Sequence, residues 1–193
     1  MSASNILAVY AQSTVEERTV GREWYADAHR LAVVLAHTPD HRPIVTVAQA
    51  AGVIAALSPL TPWHRNKELA TRAVSDGEAS GTLGNSVRAA NRILAGEDPL
   101  SVLKSDKVRN FYLSIMGSTE AVCIDRHAWE VFAGIRYADK DRPAVNRGRY
   151  RLAADAYREA AEGLNLTPTQ LQATTWLTWR RIHLTGTRWE NAL

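Results

Sequence analysis

The sequence has one cysteine and no long apolar run, and both absences narrow the class of protein. The single cysteine, Cys123, excludes an internal disulfide and any zinc site built from several cysteines. No apolar run approaches the roughly 20 residues that a membrane span needs. The start of the chain, residues 1–5, lacks the basic and apolar regions of a secretion signal. We therefore expect a protein of the reducing cytoplasm that has no membrane partner and needs no metal or cofactor.

A strand pattern is missing as well, because no stretch of useful length alternates apolar and polar residues. Helical patterns cover most of the 193 residues, and a content of 46% hydrophobic and 22% charged residues is ordinary for a globular protein. We predict an all-α fold of about eight to ten helices. Residues 1–193 would form a single globular domain, or one domain folded as two small helical lobes that flank a cleft.

Several helix boundaries are marked by capping residues. Thr14 and Glu17 have the spacing of a capping box, which predicts the start of a long helix that ends near residue 38. The segment 46–57 is apolar nearly all round, as expected of a helix buried on several sides. Thr61 before Pro62 predicts an N-cap for the next helix, and Asp125 predicts an N-cap for a helix through residue 132.

Positive charge is in slight excess, with a formal net charge of +3. Many of the arginines lie late in the sequence, and these include Arg142, Arg147, Arg149, Arg151, Arg158, Arg180 and Arg181. Such a distribution permits a nucleic acid or nucleotide partner, although many basic proteins bind neither.

Lys107 and Asp125 are the best candidates for chemistry. Lys107 opens one predicted helix and Asp125 opens another, at an offset of 18 residues (125 minus 107). That offset is right for a helix, a return loop and the start of a second helix, so both side chains could face one cleft. A surface lysine and an ordinary aspartate N-cap are the alternative interpretation of the same two residues.

The residues around this pair resemble the second half of the helix-hairpin-helix signature of the endonuclease III-like DNA glycosylases. The resemblance rests on 107–110 and 122–127, with Asn110 and His127 in matching places. It implies that Lys107 is a nucleophile that attacks C1′ of a flipped nucleotide. It also implies that Asp125 activates this nucleophile and stabilises positive charge on the sugar.

A wider resemblance covers residues 21–181 and connects the chain with bacteriophage proteins of the same glycosylase-like group. The motifs that carry it are Trp24-Tyr25, Ala56-Leu57-Ser58-Pro59 with Trp63 and Asn66, Lys107-Val108 with Phe111-Tyr112, Ile124-Asp125-Arg126-His127, and Gln172-Ala173 with Trp176 and Arg180. Some members of this group are proposed to hypermodify DNA bases by joining an amine to an activated pyrimidine. The resemblance therefore implies DNA or a nucleotide as partner and the host cytoplasm as location.

Candidate site residues follow from these resemblances. The predicted catalytic residues are Lys107, Asp125 and His127, and the predicted substrate-binding residues are Trp63, Asn66, Asn110, Trp24, Gln172 and Arg180. Other interpretations stay open: His127 could be a structural histidine beside the cleft, and Gln172 and Arg180 could belong to an exposed helical face.

One departure from the glycosylase pattern favours a different function. Glycosylases carry a glycine-rich hairpin whose backbone N–H groups hold a DNA phosphate, whereas residues 102–106 of this chain contain no glycine, and Asp106 would repel a phosphate. The alternative is a non-catalytic protein that keeps the fold and binds nucleic acid or a host protein. The oligomeric state is undetermined by the sequence, and a homodimer that assembles the cleft is a further alternative.

Overall fold

Helices make up the regular structure. The computed structural model describes residues 3–37 and 45–183, and in these two stretches it contains α-helices, one short 3-10 helix (Asp139–Asp141) and no strand. The predicted all-α class is therefore confirmed. The α-helices are α1 (Ala3–Ala11), α2 (Val15–His37), α3 (Val47–Leu57), α4 (Trp63–Asp76), α5 (Gly84–Leu94), α6 (Pro99–Val102), α7 (Asp106–Ile115), α8 (Arg126–Ala133), α9 (Arg147–Glu162) and α10 (Pro168–His183).

The chain divides into two compact units. In the described residues the first unit contains 3–25 and 118–183, and the second unit contains 26–37 and 45–117. Helix α2 contributes residues to both units. None of the described helices is long and apolar enough to cross a membrane.

Helix α3 is the centre of the second unit. Eight of its residues, from Ala50 to Leu57, are buried, and α4, α5, α6 and α7 all contact it. The helix begins with a complete capping box between Thr46 and Gln49. A methyl group on Gly52 would lie 2.9 Å from the Pro99 side chain, so glycine lets α6 approach closely. The predicted buried central helix is confirmed.

The first unit packs α1, α8, α9 and α10 together around a core that includes Tyr157, Phe132 and Leu171. The first part of α2 passes so close to α10 that a methyl group on Gly21 would lie 2.2 Å from Oγ1 of Thr174. Only glycine permits this approach. The last helix, α10, is therefore packed on several sides, and most of its side chains from residue 169 to residue 179 are buried.

The start of α2 is the capping box that the sequence predicts. The backbone N–H of Thr14 donates to Glu17 Oε2 at 2.9 Å, and the N–H of Glu17 donates to Thr14 Oγ1 at 3.1 Å. Glu17 is buried and also accepts from Arg181 Nε at 2.7 Å and from Thr178 Oγ1 at 3.2 Å. Burial by itself raises the pKa of Glu17, but the hydrogen bonds from these partners outweigh it and hold the pKa below its ordinary value.

The predicted cap of α4 is wrong. Pro62, and not Thr61, occupies the N-cap position of α4, and no side chain caps this helix. The Thr61 hydroxyl instead donates to the Pro59 carbonyl at 3.2 Å. Proline supplies no side-chain acceptor, so the first N–H groups of α4 receive no side-chain cap.

Glu17→Gln tests the buried end of α2. Glutamine keeps an oxygen for the Thr14 N–H but loses the charge that pairs with Arg181, so we expect a loss of about 1–2 kcal/mol near pH 7. A lowered folded pKa gives stability that is present above the ordinary glutamate pKa and is lost as pH falls through the folded value. Urea unfolding should therefore show a smaller deficit at about pH 3.

The control for this experiment is Glu16→Gln, since Glu16 is the exposed neighbour of Glu17 on the same helical turn. It should change the unfolding free energy little at either pH. A deficit of Glu17→Gln that stays the same at both pH values would contradict the ion pair as its cause.

Candidate functional site

Asp125 is a carboxylate with a fixed donor on each oxygen. It is the N-cap of α8, where Oδ1 accepts from the Ala128 N–H at 2.8 Å. Its Oδ2 accepts from the indole Nε1 of Trp176, on α10, at 3.0 Å. The predicted N-cap is therefore confirmed, and the side chain is half-buried. A carboxylate held in this way keeps its orientation without help from a substrate.

Two arginines lie near this carboxylate. The guanidinium carbon of Arg180 lies 4.4 Å from the centre of the Trp176 ring, as a cation stacked on an aromatic face. Burial lowers the pKa of Arg180, Asp125 opposes this effect, and the positive charge of Arg126 adds to it. Arginine presents several N–H donors in one plane, a geometry that suits phosphate and carboxylate groups.

His127 is buried with partners on both ring nitrogens. Nδ1 lies 3.3 Å from Glu130 Oε2, and Nε2 lies 3.2 Å from the Nε of Arg126. The guanidinium can only donate, so Nε2 accepts and the ring proton is on Nδ1. Burial lowers the pKa of His127, against the opposing effect of Asp125 and Glu130, which agrees with a neutral ring. A catalytic role for His127 stays a prediction.

Glu130 is the residue of this region that the sequence analysis missed. It is only 2% exposed and accepts from Trp179 Nε1 at 2.9 Å and from the Tyr137 N–H at 3.4 Å, in addition to its contact with His127. Arg142 lies 3.9 Å away. The available signal was the offset of three residues between His127 and Glu130, which places both on one face of a helix.

Lys107 lies near the start of α7, in the second unit. Ser105 caps this helix by accepting from the Val108 N–H at 3.3 Å, and Lys107 is half-buried two residues after the cap. Asp125 belongs to the first unit. A shared site for the two residues therefore stays a prediction.

The hairpin between α6 and α7 is built without glycine. Asp98 caps α6 through the Ser101 N–H at 2.8 Å. Arg109 donates from Nη1 to the carbonyls of Leu100 and Leu103, the latter at 3.1 Å, and so satisfies the end of α6. Side chains therefore hold this turn, which contains no glycine, and the Ser105 oxygen accepts from one N–H of α7, that of Val108.

Three further predicted site residues lie in the second unit. Asn66 is 1% exposed and donates to the Ile54 carbonyl at 3.1 Å, so its side chain connects α4 to α3. Asn110 donates to the Asp106 carbonyl of its own helix at 2.8 Å. The ring of Trp63 meets Phe111 edge to face at 6.4 Å between centroids. These contacts lie within the fold, and binding of a substrate by the three residues stays a prediction.

Two other predicted residues lie in the first unit. Gln172 is buried and its Oε1 accepts from the Tyr25 hydroxyl at 2.7 Å. Trp24 is half-buried against the same tyrosine, with 4.9 Å between the ring centroids. Gln172 and Asp125 are thus both hydrogen-bonded inside the first unit, while the substrate roles of Gln172 and Trp24 stay predictions.

Leu60 is a second feature that the sequence did not reveal. It is 90% exposed and has φ 57, in the loop before α4. This left-handed conformation costs a leucine about 1–2 kcal/mol, and such strain in a loop is often kept for contact with a ligand. The pattern Ser58-Pro59 signals a turn but not which following residue takes the strained conformation.

The fold defines an all-α protein, and among the described residues no group of three or more His, Cys, Asp or Glu side chains is arranged to hold a metal ion. The chain belongs to a family of unknown function, DUF7178, whose sequence profile matches residues 1–183. Neither curated proteins nor solved structures give a match.

Leu60→Asn should stabilise the protein. Asparagine adopts the left-handed conformation more easily than leucine, so we expect a gain of about 0.5–1 kcal/mol, or roughly 1–4 °C in Tm. Thermal unfolding followed by circular dichroism measures this gain. Asn165, which is exposed with φ 53, supplies the reciprocal variant. Asn165→Leu should lower Tm by a similar amount, and a loss of Tm in Leu60→Asn would contradict strain at this position.

Proposed function

We propose that the protein acts on a nucleotide in DNA and that Asp125 is the carboxylate that serves the reaction. The observation that carries this proposal is the pair of fixed donors on Asp125, from the Ala128 N–H and from Trp176 Nε1. The guanidinium of Arg180 stacks on the face of the same indole ring. A nucleotide offers both a sugar that can become positively charged and a phosphate that can bind arginine, so it matches both groups.

The carboxylate would act by electrostatic stabilisation. When the bond between a base and its sugar breaks, positive charge develops on the sugar ring, and a fixed negative charge beside it lowers the barrier. Removal of one such fixed group typically costs about a hundredfold to a thousandfold in rate. The two N–H donors matter because they hold Asp125 in place before the substrate arrives.

Lys107 would be the nucleophile, as the resemblance to the helix-hairpin-helix glycosylases implies. In that reaction the neutral amine forms a bond to C1′ while the bond from C1′ to the base breaks. The base leaves with the electron pair and takes up a proton, and the sugar ring opens to leave an imine on the lysine. The base-hypermodifying relatives suggest a second outcome, in which an amine is joined to an activated hydroxymethyl pyrimidine.

A specific observation favours the alternative of a non-catalytic protein that binds nucleic acid or a host protein. Ser105 binds one N–H of α7, that of Val108, and Asp106 is the first helical residue. Asp106 therefore places a negative charge where a DNA phosphate would meet the start of the helix. If the protein grips DNA, other residues must supply the phosphate contacts.

Borohydride trapping tests the nucleophile. DNA that contains normal or hydroxymethylated pyrimidines is incubated with the protein and sodium borohydride, which reduces an imine to a stable covalent adduct. We expect an adduct with the wild type and none with Lys107→Ala. Mass spectrometry of the digested nucleosides, in the same samples, detects base release or a modified base.

Lys104→Ala is the matched control, because Lys104 is an exposed lysine of the same hairpin. It should trap DNA as the wild type does, whereas Asp125→Asn should lower the rate about a hundredfold or more. A wild type that neither traps DNA nor changes its nucleosides would contradict the catalytic proposal. DNA binding without turnover would then favour the non-catalytic alternative.

A further inference from the structure

The outer face of α4 bears a basic depression within the second unit. It is an open hollow of about 680 Å³ whose lining comes from one helix. The lining residues are His64, Arg65, Lys67, Glu68, Thr71, Arg72 and Ser75. Three full positive charges thus face a single carboxylate, and none of these seven residues belongs to the site around Asp125.

Two of the positive charges converge on one point. A methyl group on Gly81 would lie 3.3 Å from Nη2 of Arg72 and 3.9 Å from Nη2 of Arg65. Gly81 has φ +79, so a side chain is disfavoured there, and the same methyl position would lie 3.4 Å from Cδ2 of Leu69. The two guanidinium groups lie close enough to repel each other, and an anion bound beside them would relieve this repulsion.

The single carboxylate does not neutralise the cluster. Arg65 Nη1 donates to Glu68 Oε2 at 2.8 Å. That hydrogen bond lowers the pKa of Glu68, and the positive charges of Arg65 and Arg72 lower it further, against the opposing effect of burial. Several cations therefore act on one carboxylate, which leaves a surplus of positive charge on this face of α4.

The length of the cluster suits a chain of anions better than a single one. The lining of the hollow extends along α4 from His64 to Ser75, which corresponds to about 16 Å along a helix. Hydroxyl donors at Thr71 and Ser75 continue the same face. A nucleic acid strand presents phosphates at regular intervals and matches this row of donors. An isolated inorganic phosphate would reach only one end of it.

We propose that this α4 cluster, formed by His64, Arg65, Lys67 and Arg72, binds the phosphate backbone of a nucleic acid strand. It supplies phosphate contacts in place of the glycine-rich hairpin that the chain lacks between α6 and α7. The inference rests on the proposed function only for the choice of DNA as the partner.

A binding measurement with a labelled oligonucleotide tests the cluster. The probe is a single-stranded DNA of 15 nucleotides, followed by fluorescence anisotropy over a range of salt concentrations. The double variant Arg65→Ala/Arg72→Ala should bind at least about tenfold more weakly near 50 mM salt, and the slope of log K against log salt should fall by about 1.4. Circular dichroism establishes that each variant is folded.

The matched control removes the same charge elsewhere. Arg22→Ala/Arg151→Ala replaces two exposed arginines of the first unit and should bind DNA like the wild type. Equal losses in the two double variants would mean that net charge alone attracts DNA and would overturn the proposal. Tighter binding of a polyglutamate peptide of the same length than of the oligonucleotide would overturn it too, in favour of an acidic protein partner.

The Lys107→Ala variant separates this inference from the proposed function. If the cluster binds DNA and the catalytic proposal fails, Lys107→Ala and the wild type bind the probe equally and neither forms a covalent adduct. If catalysis is real and the cluster is not the DNA site, Arg65→Ala/Arg72→Ala binds and traps DNA as well as the wild type does. That second result would overturn the assignment of the α4 cluster.

Discussion

Helix α10 satisfies three carboxylates of the first unit, and the rest of that unit depends on these hydrogen bonds. Its donors pair Trp176 with Asp125, Trp179 with Glu130, and both Thr178 and Arg181 with Glu17. Two of the acceptors, Glu17 and Glu130, are almost completely buried. A buried acceptor that loses its partner costs about 1–3 kcal/mol, and more if it is charged, so α10 cannot shift without large cost.

The same constraint gives Asp125 its orientation. Trp176 donates to the half-buried Asp125, and Trp179 donates to the buried Glu130. Because both tryptophans lie on α10, the packing of this helix fixes the two donors together. In the second unit the arrangement differs, since Ser105 and Arg109 complete a hairpin in which Asp106 is the first residue of α7.

The sequence predicted the helices well because their signals are local. A segment that is apolar nearly all round located α3, and the capping residues Thr14 and Asp125 located the starts of α2 and α8. The cap at Thr61 was wrong, since a threonine before proline can also donate to a neighbouring carbonyl, as this one does. A capping signal thus gives the position of a helix to within a residue and not the identity of every cap.

The candidate site was predictable only in part. Asp125 could be found because its role as N-cap and its neighbours 126–127 are adjacent in sequence. Its second donor, Trp176, is 51 residues away and becomes a partner only when α8 and α10 pack. Glu130 was missed for the same reason, because its burial depends on Trp179 and on the loop at 137. Contacts of this kind belong to tertiary structure and leave no periodic pattern in one sequence.

The most direct test compares the affinity of the protein for two DNA strands that differ in one sugar. One strand carries an uncharged tetrahydrofuran ring, and the other carries a pyrrolidine, whose protonated nitrogen mimics the charge that develops on the sugar. If Asp125 stabilises that charge, the wild type should prefer the pyrrolidine strand by about a hundredfold or more, and Asp125→Asn should lose the preference. Equal affinity of the wild type for both strands would contradict the account.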